Sequence, residues 1–496
     1  MTADIVIAVV LGAIAIASII FLDPLLAGGA LLAVSALFLL RRFVFTWPSM
    51  LFLLGGVVMF IPIRRYALPI QVGFALEPFR AVIAGLLIAL AVAAFASPSF
   101  RWKPVVWGWP IAIFLWTMLA SLMFNGSELA STALIGAGLS NITQLAFMLS
   151  VVLIVRQLLS TERLTNIFLM FLVISGAILG LLALYERISR TNVFLLLGNF
   201  LPLTILRDDA ESLRAGGARA YASSQHPIAL SVVFCMLIPL AIYLMKFAIW
   251  PRFEISRRIF YTAMIGLMLV GLLAAISRTG VVVMGVMWLF TLVLRPRLAL
   301  ILAALGLPMV VVAGLIFPKN IESMVLSLLD IEGVVASQTT SVGMAGQGRL
   351  ADLGPAFQEV AVNPWFGTGL GSRIVVGDNA NAYILDNQWL GTLMETGVLG
   401  VIGLIALLVW PAVQMTRFAF TSNAPQSRVF LVFAIAASTV GYLTAMFFYD
   451  AFSFMQALLL LAILYAVAAW AMTEGAETWS GDTALSHARP IPAAGT

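Results

Sequence analysis

Two acidic residues lie close to the point where a long polar segment of the chain gives way to a hydrophobic stretch. The residues around that point are Asp386-Asn387-Gln388-Trp389-Leu390, Glu395-Thr396-Gly397 and Gly400. A carboxylate at such a boundary can act as a general base toward a hydroxyl group, so Asp386 is the first candidate for catalysis. The alternative is equally open from the sequence, because Asp is a favoured N-cap for the helix that would follow.

Glu395 lies one or two helical turns further along, inside the hydrophobic stretch. A carboxylate within a membrane span is costly without a partner and marks a functional position by default. We therefore expect Glu395 to pair with an arginine. Glu395 and Asn387 are supporting residues of the candidate site.

Three arginines outside the hydrophobic stretches could bind an anionic group. Arg278 lies in a short turn, residues 277–280, between two strongly apolar stretches. A guanidinium is planar, carries five N–H donors and stays charged, which suits a diphosphate better than an ammonium does. The alternative is an arginine that reaches for lipid phosphates. Arg219 and Arg349 lie in two other loops; the three could converge into a cationic pocket, or these two could be solvated loop charges.

The glycines of Gly367-x-Gly369-x-Gly371 resemble a phosphate-binding loop only in their spacing. They neither follow a strand nor open a helix, and the dinucleotide-binding motif requires both. A turn with positive φ at one or more glycines is the better interpretation. Gly367 and Gly369 would then support the site by giving an acceptor close access to the backbone.

The sequence predicts neither a metal nor a cofactor. His226 is the only histidine outside the C-terminal tail, and with Asp208 and Asp209 it does not make a convincing metal-binding set. A lone histidine is usually structural, so His226 is treated as a supporting residue. Cys235 is the single cysteine and lies in an apolar run, which excludes a disulfide framework and a thiolate metal site.

The composition is that of a membrane protein. Hydrophobic residues make up 62% of the 496 residues and charged residues 10%, and the mean hydropathy is +1.07. Spanning about 30 Å of hydrocarbon takes roughly 20 apolar residues, and about 14 such windows are present, or about 12 if neighbouring pairs are mis-split. The windows are 4–22, 24–40, 46–62, 81–98, 104–124, 143–158, 165–185, 227–245, 259–276, 280–294, 298–317, 388–412, 429–448 and 452–472. The predicted fold class is all-α: a polytopic transmembrane helical bundle.

The same pattern divides the chain into four parts. These are transmembrane helices over 1–316 with an outward loop near 186–226, a long extracytoplasmic loop over 317–388, C-terminal transmembrane helices over 389–472, and a polar tail over 473–496 that we expect to be disordered in the cytoplasm. Within the long loop, apolar residues recur at helical spacing over 320–334 and 349–362, which predicts amphipathic helices.

The charge of the short loops indicates an orientation. The short loops of one side, with Arg489, hold 15 of the 27 lysines and arginines, and short basic loops stay in the cytoplasm. We therefore expect both termini in the cytoplasm and the long loops, with the candidate site, on the outer face. No Lys or Arg precedes the first span, so we expect this span to be retained rather than cleaved. No nucleic-acid partner is expected.

In their order and spacing, these motifs resemble the bacterial O-antigen ligase and O-antigen polymerase superfamily. The resemblance covers roughly residues 215–410. It rests on Arg219…His226-Pro227, Ser277-Arg278-Thr279-Gly280, Arg349, Asn363-Pro364-Trp365-Phe366-Gly367-Thr368-Gly369 and Asp386-Asn387-x-x-Leu390-x4-Glu395-x-Gly397-x-x-Gly400.

The resemblance implies an integral glycosyltransferase of the bacterial inner membrane, surrounded by membrane lipids. It would pass a glycan from undecaprenyl diphosphate to a hydroxyl of a glycan or glycolipid acceptor at the outer face, with inversion at the sugar and without a metal. The family's diphosphate-binding arginines match Arg219, Arg278 and Arg349 by motif position, and Arg278 is also a catalytic candidate. Many ligases carry His at the position of Asp386, whereas polymerase-like members more often tolerate Asp, which slightly favours a polymerase.

Two other classes of protein fit the spans and the charges. A flippase or exporter of lipid-linked glycans should show pseudo-symmetric halves, and the sequence shows none. A glycosyltransferase that uses polyprenyl-monophosphate sugars would need an acidic residue in its first outward loop. Asp23 could serve there, although it more simply caps a tight turn.

Overall fold

The computed structural model describes residues 12, 15–16, 19–20, 24–39, 46–69, 75–98, 100–206, 213–214, 217–339, 349–375 and 381–473. Several predictions fall outside these residues. They concern the first span at 4–22, Asp23, Asp208, Asp209 and the tail beyond residue 473.

The described residues are almost entirely helical. The principal helices are α1 (Pro24–Leu39), α2 (Trp47–Phe60), α3 (Pro78–Ala96), α4 (Gly108–Phe124), α5 (Gly126–Ser131), α6 (Ile135–Leu158), α7 (Glu162–Ser189), α8 (Pro227–Phe247), α9 (Glu254–Ala275), α10 (Arg278–Leu294), α11 (Pro296–Ile316), α12 (Pro318–Ile321), α13 (Ser327–Leu329), α14 (Ile331–Gln338), α15 (Leu353–Val362), α16 (Gln388–Thr421), α17 (Gln426–Ala445) and α18 (Met455–Thr473). A π-helical turn covers Glu322–Leu326 and a 3₁₀ helix covers Val193–Asn199.

Two antiparallel pairs of two-residue strands complete the described structure. β1 (Tyr66–Ala67) pairs with β2 (Thr204–Ile205), with Tyr66 opposite Ile205. β3 (Leu213–Arg214) pairs with β4 (Gly217–Ala218). The first pair joins a loop near the start of the chain to the loop that follows α7.

Eight helices of the described chain are long and apolar enough to cross a membrane: α3, α6, α7, α8, α9, α16, α17 and α18. Four shorter apolar helices, Trp47–Phe60, Gly108–Phe124, Arg278–Leu294 and Pro296–Pro308, add to them. The prediction of an all-α polytopic membrane protein is confirmed, while the number of spans stays a prediction. A further difference is that α6 and α16 extend well beyond their windows, because hydropathy misses turns that carry polar residues such as Asn141 in α6 and Arg417 in α16.

Contacts separate the chain into two compact units, Met1–Leu54 with Ser480–Thr496, and Gly55–Trp479. In the larger unit α8 and α18 are central, since about nine-tenths of each apolar window is buried (89% and 94%). Nearly every residue of α18 is buried, which explains why it lacks a polar face. Each of these two helices positions the end of the loop that leads into it.

In the larger unit, the short basic connections meet at one end of the helices, here called the basic end. Hydrogen bonds there join Lys103 to Gln157, Asn166 to Phe247, Lys246 to Gln426 and Arg295 to Ala419. The described parts of the connections 61–77, 190–226, 276–277, 317–387 and 446–454 lie at the other end, here called the loop end. The described loops therefore sort into two groups as the alternation of spans predicts.

The amphipathic segments of the long loop are helical, but their bounds differ from the prediction. The first is divided into α12, a π-turn, α13 and α14. The second helix begins at Leu353 rather than at Arg349, which is a correction. Arg349 stands before the helix because its side chain is engaged elsewhere, with Asp386 and with the carbonyl of Phe448.

Candidate functional site

The loop 446–454, between α17 and α18, joins two distant segments at the loop end. Its first part accepts a hydrogen bond at the Met446 carbonyl from the Gln388 N–H (2.8 Å), and the Phe452 N–H donates to Gln388 Oε1 (2.9 Å). Just past the loop, the Met455 N–H donates to Gln225 Oε1 (3.2 Å). The start of α16 and the segment before α8 are thereby held on either side of one short loop.

Arg349 lies against this loop. Its Nη2 donates to the Phe448 carbonyl (3.0 Å) and lies 3.3 Å from Asp386 Oδ2, and its Nη1 donates to Gln338 Oε1 (3.5 Å). Burial lowers the pKa of Arg349, and the charge of Asp386 acts in the opposite direction. Both side chains keep about a quarter of their surface exposed (22% and 25%), so a ligand can reach them.

The N-cap of α16 is Asn387, and the alternative that Asp386 caps this helix is wrong. Asn387 Oδ1 accepts a hydrogen bond from the Leu390 N–H (3.1 Å). A cap needs the residue immediately before the first helical turn, and Asp386 is one position too early. Its carboxylate is directed toward Arg349 instead.

His226 connects two of the predicted arginines. It is the N-cap of α8, where Nδ1 accepts from the Ile228 N–H (3.2 Å), and its ring packs on Phe454 with 5.4 Å between centroids. Burial first, and then the charges of Arg219 and Arg349, lower the pKa of His226 to about 3. The imidazole is therefore neutral at pH 7. Because Nδ1 is an acceptor, the proton is assigned to Nε2, which leaves Nε2 as the hydrogen-bond donor of the ring.

Arg219 and Arg278 lie on either side of the turn that ends α9. Arg219 Nε donates to the Ala275 carbonyl (3.1 Å), and Arg278, the first residue of α10, donates from Nε to the Ser323 carbonyl (3.2 Å). The charges of Arg219 and Arg349 both act on His226, and Arg278 lies three residues after Ala275, whose carbonyl accepts from Arg219. The convergence of the three arginines into one pocket stays a prediction.

Asp450 is an acidic residue of the site region that the sequence reasoning missed. The Ser453 hydroxyl donates to its carboxylate (2.5 Å). Burial raises the pKa of Asp450 and the charge of Asp386 adds to this, whereas Ser453 and Arg64 act against it. A signal was present: Asp450 is a charge in a short turn between two apolar spans, the same criterion that singled out Arg278.

Glu186 holds the segment that carries Arg219 and His226. Its Oε2 accepts from the N–H groups of Tyr221 (3.3 Å) and Ala222 (2.8 Å). Ala222 has positive φ (46°), which a non-glycine residue adopts only when its surroundings fix it. Nothing in the local sequence pattern of α7 distinguishes Glu186 from an ordinary helix-end charge.

The three glycines 367, 369 and 371 all have positive φ, at 66°, 101° and 79°. The turn interpretation is therefore confirmed for this segment. It packs on a break in α16 at Gly397, where φ is 66° and ψ is −165°. The hydrogen bonds between the two segments run from Thr368 N to Met394 O (3.0 Å), Gly369 N to Glu395 O (2.9 Å) and Val398 N to Pro364 O (2.8 Å).

Glu395 makes no ion pair with any described residue, so the expected pairing with an arginine is wrong. Its Oε2 lies 3.5 Å from the Gly371 N–H, a long hydrogen bond to the glycine turn. Arg373 is close enough for its charge to act on Glu395. Its guanidinium is taken by Glu359, with 2.9 Å to each carboxylate oxygen.

No group of three or more His, Cys, Asp or Glu side chains in the described ranges is arranged to hold a metal ion. The charged groups around loop 446–454 are instead of both signs and in electrostatic contact. Arginines can bind an anion, and the carboxylates can take up a proton from a hydroxyl. That combination suits displacement of a diphosphate by an alcohol.

Residues 263–405 match the family model described as O-antigen ligase. This segment is similar to the O-antigen ligase family. The resemblance to the O-antigen ligase superfamily is thereby confirmed over that segment. This family comprises glycosyl-transferring enzymes that use lipid-linked glycan donors and acceptors. No curated protein matches the chain.

The matched segment holds only part of the site region. Arg278, Arg349, Asp386 and Glu395 lie within it. Arg219, His226 and Asp450 lie outside this segment. Contacts of loop 446–454 and of α9 connect their surroundings to the matched segment.

Proposed function

We propose that the protein transfers a glycan from an undecaprenyl-diphosphate donor to an acceptor hydroxyl at the outer face of the inner membrane. The observation that carries this proposal is the gathering of Arg219, His226, Arg349 and Asp386 at the loop end. The similarity of residues 263–405 to the O-antigen ligase family supports the reaction class, and the basic connections at the other end support the orientation.

The arginines would bind the diphosphate leaving group. Arg278 makes only one hydrogen bond to the described chain, through Nε, and is half-buried, so its two terminal nitrogens are available to a ligand. Negative charge grows on the diphosphate as the glycosidic bond breaks. Fixed guanidinium groups stabilise that charge without reorganising.

The acceptor oxygen forms a bond to the anomeric carbon from the face opposite the diphosphate, which inverts the configuration. The electron pair of the broken bond leaves with undecaprenyl diphosphate, and the acceptor proton passes to a carboxylate. Asp386 is the first choice for this base and Asp450 the second. A phosphate that binds Arg349 competes with Asp386 for the same guanidinium, so donor binding would release the base.

A polymerase is favoured over a ligase by the aspartate at position 386. The same chemistry serves both, because both use an acceptor hydroxyl and differ in which molecule carries it. A polymerase lengthens the lipid-linked glycan itself. The product with a single lipid-linked substrate therefore distinguishes the two.

The test is an assay with purified protein, lipid-linked oligosaccharide and no added metal, read as polymer length on a gel. We expect polymer in the presence of a chelator, because arginines rather than a divalent ion neutralise the leaving group. Activity that depends strictly on added metal would contradict this mechanism. Movement of the lipid-linked glycan across the membrane without any new bond would favour a flippase.

Arg278→Lys is the decisive variant in this assay. Lysine keeps the charge and can still reach lipid phosphates, but it lacks the planar fork that binds a diphosphate through two donors. We expect about a hundred- to a thousandfold lower rate. Arg258→Lys is the matched control, because Arg258 lies at the basic end and pairs only with Glu254 (2.5 Å). Normal polymer formation by the Arg278→Lys protein would remove Arg278 from the site.

A further inference from the structure

Arg373 and Glu359 form an ion pair beside the site that the proposed mechanism does not use. Glu359 lies in α15, and Nη1 of Arg373 lies 2.9 Å from each of its carboxylate oxygens. Nη2 of Arg373 donates to the Tyr383 carbonyl (3.4 Å), and the guanidinium lies over the Tyr383 ring, 4.8 Å from its centroid. One arginine therefore joins α15 to the segment that leads into Asp386.

The contacts of Arg373 distinguish it from the arginines expected to bind the donor. Its side chain is 9% exposed, against 22% for Arg349. The guanidinium contacts a carboxylate, a carbonyl oxygen and an aromatic face, so its charge is taken up within the protein. Exposed ion pairs contribute little, because water screens them and both side chains must be ordered. Arg373 is instead ordered by its contacts with Tyr383, an arrangement suited to holding the chain rather than a ligand.

Apolar packing extends the same connection to both sides of Asp386. Ala356 of α15 and Leu390 of α16 belong to one buried cluster, and Tyr383 and Leu385 pack against it. The residue directly before Asp386 and the first turn of α16 after it are thus held against α15. The position of the Asp386 backbone therefore depends on how this segment is fixed to α15.

The partner of the Asp386 carboxylate is also tied to α15. Arg349 stands four residues before this helix begins, and its Nη2 lies 3.3 Å from Asp386 Oδ2. Glu359, within the helix, holds the backbone that leads to Asp386 through Arg373. One short helix thus connects the group that orients the carboxylate with the groups that place its backbone.

We propose that Arg373 and Glu359 are positioning residues, whose ion pair fixes segment 381–386 on α15 and so places the Asp386 carboxylate for proton transfer. The catalytic part rests on the proposed function, and the placement rests on the contacts of Arg373. A general base must lie within hydrogen-bond reach of the hydroxyl it deprotonates. A displacement of about 1 Å from such a geometry can cost about a hundredfold in rate.

The first experiment measures the placement without relying on activity. The Asn381 N–H donates to the carbonyl of Ile374, the residue after Arg373 (2.9 Å). In the full-length protein we expect Arg373→Gln to speed hydrogen–deuterium exchange at Asn381 and through segment 381–386. The amide of Gln388, which is bound to loop 446–454, should exchange as before. Unchanged exchange over segment 381–386 would overturn the proposal.

The second experiment separates positioning from ligand binding. Arg373→Gln and Glu359→Gln should each lower kcat about ten- to a hundredfold. The KM for the donor should stay the same or fall, because Arg219 and Arg278 are intact and a displaced carboxylate competes less for Arg349. If Arg373 instead bound the diphosphate directly, its loss would raise KM and Glu359→Gln would leave kcat unchanged. That result would contradict a positioning role.

A third set of variants tests the ion pair itself. Either Gln substitution removes the pair, so the double variant should be about as slow as each single one. Exchanging the charges, with Arg373→Glu and Glu359→Arg together, should recover part of the kcat that Arg373→Glu loses. Additive losses without recovery would count against the pair. Should Arg373→Gln fail to fold, Arg373→Lys keeps the charge without the planar fork and should show a smaller loss of the same kind.

Arg258→Gln is the matched control, since Arg258 makes an exposed ion pair with Glu254 at the basic end. It should leave kcat, KM and the exchange of segment 381–386 unchanged. Absence of glycosyl transfer by the wild-type protein would contradict the proposed function. The exchange experiment would still decide whether the ion pair holds the segment.

Discussion

The contact between Arg349 and Asp386 gives each residue a role that neither has alone. Without a ligand, the guanidinium orients the carboxylate across 3.3 Å. In the proposed mechanism, a bound diphosphate would give the same guanidinium a second anion to bind, and the carboxylate would turn to the acceptor. Such an arrangement couples the availability of the base to the presence of the donor.

The residue-scale prediction is that Asp386→Asn nearly stops turnover while expression and donor binding remain. The amide has almost the shape of the carboxylate but does not take up a proton at neutral pH, and a general base contributes about a hundred- to ten-thousandfold. Steady-state turnover and donor binding in detergent or liposomes give the measurement.

Asn387→Asp is the matched control for this variant. Asp and Asn cap a helix about equally well, so the control should keep both activity and stability. Retained turnover in the Asp386→Asn protein would transfer the base to Asp450, and Asp450→Asn would then be the inactive variant.

The sequence was sufficient to find most of the charged residues at the site but not their partners. Arg219, Arg278, Arg349 and Asp386 stand out because charges beside apolar spans are rare and costly. Glu395 was expected to pair with an arginine that the sequence could not name, and Arg373, whose charge acts on Glu395, makes its ion pair with Glu359. Which carboxylate an arginine pairs with depends on how the segments pack in the folded chain. The spacing of residues along the sequence does not specify that packing.

At the scale of elements, the break in α16 and the glycine turn form one unit. A helix that breaks within a membrane span leaves backbone groups that only protein or a wet cavity can satisfy. The segment 364–369 supplies those partners, and Ser121 adds hydrogen bonds to the carbonyls of Phe366 (2.7 Å) and Glu395 (3.0 Å). The turn therefore fixes the part of α16 that follows Asp386.

Gly397→Ala tests this unit. A Cβ at position 397 would lie 2.3 Å from the carbonyl carbon of Trp365, and the backbone is in a region that disfavours a side chain. We expect a loss of about 2–5 kcal/mol of stability from the two effects together. The apparent Tm of the protein in detergent should fall, and activity with it.

Gly285→Ala is the control, since a Cβ there meets nothing within 4 Å and alanine favours a helix. Its Tm should stay the same or rise. A Gly397→Ala protein as stable as this control would show that the segment 364–369 can move away without cost.

The helices themselves were predictable, whereas the break was not. Apolar windows located nearly every described span, because burial in lipid requires long apolar runs. A glycine in such a run is compatible with an unbroken helix, so Gly397 gave no sign of its positive φ. The partners of the break lie some 30 residues earlier in the chain, and only the folded structure brings them together.

At the scale of the whole molecule, the orientation in the membrane follows from the two groups of loops. The sequence predicted which loops share a side, and the contacts of the larger unit agree with that grouping. The side that faces outward is a prediction from the positive charge of the short loops. It decides whether the site meets donors at the outer leaflet.

Cysteine labelling in spheroplasts tests the orientation. Thr191 and Ser256 are exposed residues at the loop end and the basic end, and the native Cys235 is buried, so it should not react. We expect a membrane-impermeant reagent to label Thr191→Cys in intact spheroplasts and Ser256→Cys only after permeabilisation. The reverse pattern would place the candidate site in the cytoplasm and end the proposal for an outer-leaflet donor.

The position of loop 446–454 near the end of the helical chain has a consequence for biosynthesis. The loop holds Gln388 and Arg349 by hydrogen bonds, and it exists only between the last two helices. While the ribosome is still inserting the chain, the arginines and Asp386 are already in the membrane but lack this support. Under the proposed function, transfer would begin only after insertion of α18, so unfinished or truncated chains would not compete for the donor.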